Sequence, residues 1–112
     1  MLLAMVTTTA AAILRLHDAG RLEVGGPADF IVVPATADSA AGTLLQASRR
    51  DLACVAIGGR PLVAAPVYAD AFTARGMNTG RICVDGVPRL VHAGLRRGIE
   101  RCTIAEEGVT CH

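Results

Sequence analysis

Residues 20–33, GRLEVGGPADFIVV, constrain this chain more than any other stretch. Gly20 reads as a helix stop. Leu22 and Val24 point one way and Glu23 the other, which is the alternation of a strand with one wet face. Gly25-Gly26-Pro27 reads as a tight reversal, because Gly reaches positive φ at no steric cost and Pro27 fixes the exit. Phe30-Ile31-Val32-Val33 has no polar break and suits a strand covered on both faces. The stretch predicts a strand, a turn and a buried strand.

A second reversal is legible at 52–64, LACVAIGGRPLVA, where two apolar runs flank Gly58-Gly59 as in a two-residue hairpin. Pro61 has no N–H to donate, so the return strand is expected at a sheet edge or paired only beyond Pro61. Residues 80–86 read as a third strand ending in the Asp85-Gly86 turn.

The helices are expected around these strands. Residues 2–17 carry an apolar stripe of Leu2, Met5, Val6, Ile13, Leu14 and Leu16, read as a helix packed by that face. Thr7-Thr8-Thr9 delays the regular helix to near Thr9 as N-cap, and Gly20 ends it. Residues 35–46 read as a loop and a short helix capped by Asp38 or Ser39 and anchored by Leu44-Leu45. Arg49-Arg50-Asp51 is a polar hinge. Residues 66–74 are a short helix with Val67, Ala71 and Phe72 on one side. Pro88 is read at the first position of a helix along which Leu90, Val91, Leu95 and Ile99 repeat, weakened by Gly94 and Gly98. Residues 102–112 are read as a tail.

Length allows one domain over 1–112. It is less than half of the roughly 250 residues an eight-stranded barrel needs. Apolar residues make up 52% of the chain, which argues against disorder, but aromatics are only 3%. The core must therefore come from Ala, Val, Leu and Ile, and alanines bury little area at roughly 25 cal/mol per Å². Low stability, or a partner surface that adds burial, is expected. A net charge of +1 gives no case for nucleic acid or an anionic membrane. Arg49-Arg50 and Arg96-Arg97 read as solvated ends before phosphate sites. The N-terminus lacks the positive region of a signal peptide and is too short and polar to span a bilayer. Cys54, Cys83, Cys102 and Cys111 show no CxxC spacing; Cys54 and Cys83 look like small buried hydrophobes, and Cys102 and Cys111 could pair if oxidised. A reduced, cytoplasmic chain is expected.

Several of these segments carry a resemblance. GxLxxGxxADxxVV at 20–33 resembles the segment after the last barrel helix in the amidohydrolase superfamily, the metal-dependent hydrolases of the cytosine-deaminase and imidazolonepropionase type. MVTTTAAAILRL at 5–16 is similar to that family's last barrel helix, though it departs where the family often has Asn or Gly between Thr and Ala. The hairpin at Gly58-Gly59 and the run VxVDGVPRLV with RCxIAEEGV resemble its later strands and C-terminal end. The resemblance implies an α+β fold with a small β-sandwich-like sheet, the composite domain of those hydrolases, and flanking helices. Residues 1–19 would be the former barrel helix, 20–87 the sandwich strands and short helices, and 88–112 a C-terminal helix and tail.

The family binds a divalent metal such as zinc or iron through an HxH pair, further histidines and an Asp. This chain shows no HxH, and His17, His92 and His112 are scattered, so they read as exposed or capping residues. Asp29 is implied to be structural in the ADxxVV strand, and Asp85 is a turn residue. Ser39 and Ser48 have no GxSxG elbow, and no cysteine has a marked base. No catalytic, cofactor or metal residue is assigned in this chain. The expectation is a non-catalytic structural or assembly part of a carbon–nitrogen hydrolase that self-associates as a dimer or higher oligomer. The alternatives are a C-terminal subunit completing a split hydrolase with a separately encoded barrel, and a small-ligand binding module using an apolar groove between helices and sheet.

Overall fold

The computed structural model describes residues 2–111. The fold is α+β. Its sheet is a single open antiparallel layer in the order β1-β2-β3-β5-β4-β6, formed by Phe30–Val32 (β1), Cys54–Ile57 (β2), Arg60–Ala64 (β3), Thr79–Val84 (β4), Val87–His92 (β5) and Val109–Cys111 (β6). The helices are Leu2–Val6 (α1), Thr8–Ile13 (α2), Ala40–Gln46 (α3), Ala69–Thr73 (α4) and Ala93–Arg101 (α5), with short 3-10 turns at Arg49–Asp51 and Pro66–Tyr68.

The two hairpins form where two successive residues reach positive φ. Gly58 and Gly59 lie at +59° and +71°, and Asp85 and Gly86 at +49° and +83°, so each two-residue loop matches the twist of its strands. A bulge between Val55 and Ala56 shifts the register of the first hairpin. The sheet thus consists of two three-stranded halves, β1-β2-β3 and β5-β4-β6. They are joined only by Val63 opposite Val91 and Ala64 opposite Leu90.

The core sits across that junction. Phe72 of α4 is buried against Cys54 and Ala64, with Val32, Met77 and Leu90 packed around them. Val91 and Ile82 are buried on the opposite face, where α5 approaches so closely that a Cβ on Gly80 would run into the Arg96 side chain.

The N-terminal segment departs from expectation. The helix starts at Leu2, breaks at Thr7 and resumes at Thr8, because the Thr7 hydroxyl donates to the Leu3 carbonyl at 2.7 Å and competes with the backbone ladder. It ends at Ile13, well before Gly20. Arg15 takes φ +57°, the Arg15 N–H donates to the Ala12 carbonyl at 3.1 Å and the Leu16 N–H to the Ala11 carbonyl at 2.9 Å. That is a Schellman closure with arginine where glycine is usual. Gly20, at φ +88°, serves close packing instead: a Cβ there would stand 2.7 Å from the Thr7 carbonyl oxygen. The expected apolar stripe is not packed. Only Ala11 of α2 is buried, and Ile13 stays 76% exposed.

Residues 22–24 form no strand; Leu22 and Val24 are exposed, with no strand laid beside them. Phe30–Val32 is a strand as expected, but it lies at the sheet edge and is not covered on both faces. Pro61 does not place β3 at an edge, since β3 is central; toward β5 it pairs only beyond Pro61, at Val63 and Ala64. Pro88 lies inside β5 opposite Cys83, not at a helix start, and the helix begins at Ala93. The supposed tail contains β6, which pairs with β4. Ser39 caps α3 by accepting from the Gly42 N–H at 3.0 Å, but Thr43 is its buried residue and Leu45 points to solvent. Phe72 is buried as expected, whereas Val67 is exposed.

Candidate functional site

An open groove of about 1070 Å³ lies between α1, α3 and the β1-β2 edge of the sheet. Its floor comes from Ile31, Val33, Val55 and Ile57, and its wall from Leu3, Val6 and Leu44. Four of its polar side chains are engaged within the chain. The Asp29 carboxylate accepts from the Gly58 N–H at 2.7 Å and ties β1 to the hairpin loop. The Thr43 hydroxyl accepts from the N–H groups of Thr36 at 3.3 Å and Ala37 at 3.2 Å, Ser39 caps α3, and Thr7 bonds Leu3. Chemically the groove can bury apolar surface. It presents no nucleophile beside a base.

The densest charged cluster lies at the opposite end of the sheet. Arg49 Nε and Nη2 donate to the two Asp85 carboxylate oxygens at 2.7 and 2.8 Å, and Nη1 donates to Glu106 at 2.6 Å. Nη2 also bonds the Glu107 carbonyl, and the Asp85 N–H donates to the Gly108 carbonyl at 2.8 Å. The Arg49 guanidinium holds the Asp85 carboxyl below the usual carboxylate range, and the carboxylates in turn push the Arg49 pKa up. This fork-to-fork pair fastens the β4-β5 turn and β6 to the 3-10 turn. Arg50 and Arg89 belong to the same region, where Arg89 donates to the carbonyls of Arg50 and Leu52 at 2.7 and 3.1 Å.

The residues singled out from sequence do not converge. His17 is exposed beyond α2, His92 is half-buried at the start of α5, and His112 lies outside the described residues. Ser48 donates to the Asp51 carboxylate from both its N–H, at 2.8 Å, and its hydroxyl, at 3.0 Å, which holds Asp51 low. Arg96 pairs with Glu100 at 2.9 Å one helical turn away. Cys54 is buried, and burial pushes its thiol pKa up. Cys102 and Cys111 are free thiols lining one small cavity beside α5.

Among the described residues no group of three or more His, Cys, Asp or Glu gathers as a metal site. No described helix is long and apolar enough to cross a membrane. The Arg49 cluster escaped sequence reading because its partners lie 36 and 57 residues away, with no local pattern to announce them. Comparison with protein-family models, with curated proteins and with solved structures finds no match.

Proposed function

We propose that these residues correspond to the C-terminal, composite-domain portion of an amidohydrolase-like protein, acting as a non-catalytic structural or assembly module. The observation that carries this reading is the apolar surface of α1, α2 and β1. Leu2, Met5, Val6, Ile13, Leu14 and Leu16 all remain exposed on the segment that resembles a barrel helix. A helix pair with that much uncovered apolar surface needs a larger body against it.

The test is direct. The purified chain, assayed with zinc or iron(II) against cyclic amides, aminopyrimidines and lactones, should show no metal-dependent hydrolysis. Turnover that follows the metal and is abolished by a chelator would refute the reading.

The same exposed stripe also fits a second reading, in which the chain completes a separately encoded barrel. A neighbouring reading frame encoding HxH, and co-purification of its product with this chain, would favour that arrangement. The groove further admits a small apolar ligand, although the side chains of Thr7, Asp29, Ser39 and Thr43 that line it are bonded to the chain's own backbone.

A further inference from the structure

We propose that the chain forms a two-fold dimer by pairing β1 with β1 of a second copy, centred on Ile31. The backbone supplies the geometry. The carbonyls of Ala28 and Val32 accept from the N–H groups of Gly59 at 2.9 Å and Ala53 at 2.8 Å, so these residues turn toward β2. Alternation along a strand turns Phe30 the same way and leaves the N–H and C=O groups of Asp29, Ile31 and Val33 facing outward. Among the described residues none of those outward groups has a backbone partner. Ile31 itself is 49% exposed.

An antiparallel copy set by a two-fold axis places Ile31 opposite Ile31 as a hydrogen-bonded pair and Asp29 opposite Val33. All the outward groups are then satisfied by about six new ladder bonds. Pro27, next in the outward-facing series before Asp29, has no N–H and limits this ladder on that side. The two Asp29 carboxylates end up about 13 Å apart along the strands, beyond the screening length of about 8 Å at physiological salt.

The surface beside the strand favours this occupant. Residues 1–14 and 30–37 contain no charged side chain, so two copies meet there without like-charge repulsion. A membrane surface is disfavoured, because the charged residues lining the groove are Asp29 and Asp38, which repel anionic headgroups. β1 is short, but its three residues are Phe, Ile and Val, without the Lys, Pro or bulge that guards many edges. The two-fold contact is isologous and closes on itself.

Light scattering on the full chain at tens of micromolar should give twice 11.6 kDa. Ile31→Pro removes an N–H that faces the open edge, where proline is tolerated, and should give a monomer with an unchanged far-ultraviolet spectrum. Ile31→Lys should do the same by placing charge at the two-fold axis, and amide exchange at Ile31 and Val33 should be slowed in the unaltered dimer. A monomeric wild-type chain would overturn the pairing, as would a dimer that survives both substitutions. So would open-ended growth, which signals β1 adding to the β6 edge of the next copy. The pairing stands apart from the family reading. A monomer without hydrolase activity sinks only the dimer, and a dimer that hydrolyses its substrate with metal sinks only the functional proposal.

Discussion

Asp85 and Gly108 lock two distant turns together: the Asp85 N–H donates to the Gly108 carbonyl at 2.8 Å, and Gly108 sits at φ +81° directly beneath the Asp85 carboxylate. A Cβ at position 108 would collide with Asp85 Oδ1 and crowd Arg49 Nη2. Gly108→Ala is therefore expected to cost about 1–3 kcal/mol and to detach β6 first. Urea denaturation measures the cost, and faster amide exchange at Thr110 and Cys111 locates it.

The same cluster sets a pH dependence. The folded pKa of Asp85 is depressed, chiefly by the hydrogen bond from Arg49, and that of Asp51 by the bond from Ser48. A depressed folded pKa gives stability that is present above the unfolded value of 3.8 and lost as pH falls through the folded value. The stability of Asp85→Asn should thus fall less steeply below that pH than wild type, with Asp51 supplying the remaining slope. Added salt should shrink the difference, since the Arg49 pair is partly exposed. Acid titration of the urea midpoint in both proteins checks this.

Arg15 offers a stabilising change. An L-residue in the left-handed region pays roughly 1–2 kcal/mol, which glycine avoids. Glycine loses part of that gain to greater freedom in the unfolded chain. Arg15→Gly should raise stability by about 0.5–1 kcal/mol, read as a higher thermal midpoint, while Arg15→Val should lower it.

Phe72 is the one large side chain among the buried residues of its cluster. It is 1% exposed and its buried neighbours are the small residues Cys54 and Ala64. Phe72→Ala should cost about 3–5 kcal/mol, a large share of the roughly 5–15 kcal/mol that holds a domain together. Loss of cooperative unfolding in urea is the expected result.

The thiols should label in an order set by exposure and ionisation. Cys102 is exposed, while Cys54 is buried with its pKa raised. Only the thiolate reacts, so a maleimide should reach Cys102 first and Cys54 last. Peptide mass mapping over time shows the order.

What was legible in the sequence was local. The Gly58-Gly59 and Asp85-Gly86 turns, the Phe30 strand and the Ser39 cap each follow from the conformational needs of one or two residues. What was not legible depended on distant partners. Pro88 looked like a helix start because Leu90, Val91, Leu95 and Ile99 fit either period. It is tolerated in β5 because β3 reaches only Val91 and Leu90, so β5 beside Pro88 has no strand on its β3 side. Residues 109–111 could not be read as a strand, because what makes them one is pairing with β4, more than twenty residues back, with Arg49 bonding the residues just before them. Leu22 and Val24 alternate as a strand should, yet no strand runs beside them, and pairing decides what pattern alone does not.

The junction of the two half-sheets has a mechanical consequence. With two residue pairs across it, the centre of the layer is a line of weakness, and each half is internally better laced than it is to the other. The cluster around Phe72 draws Val32, Cys54 and Ala64 from one side and Leu90 from the other, so a single ring works as a rivet through that line. Under force or mild denaturant the molecule should part there, into two three-stranded flaps that swing on the segment around α4 before either frays.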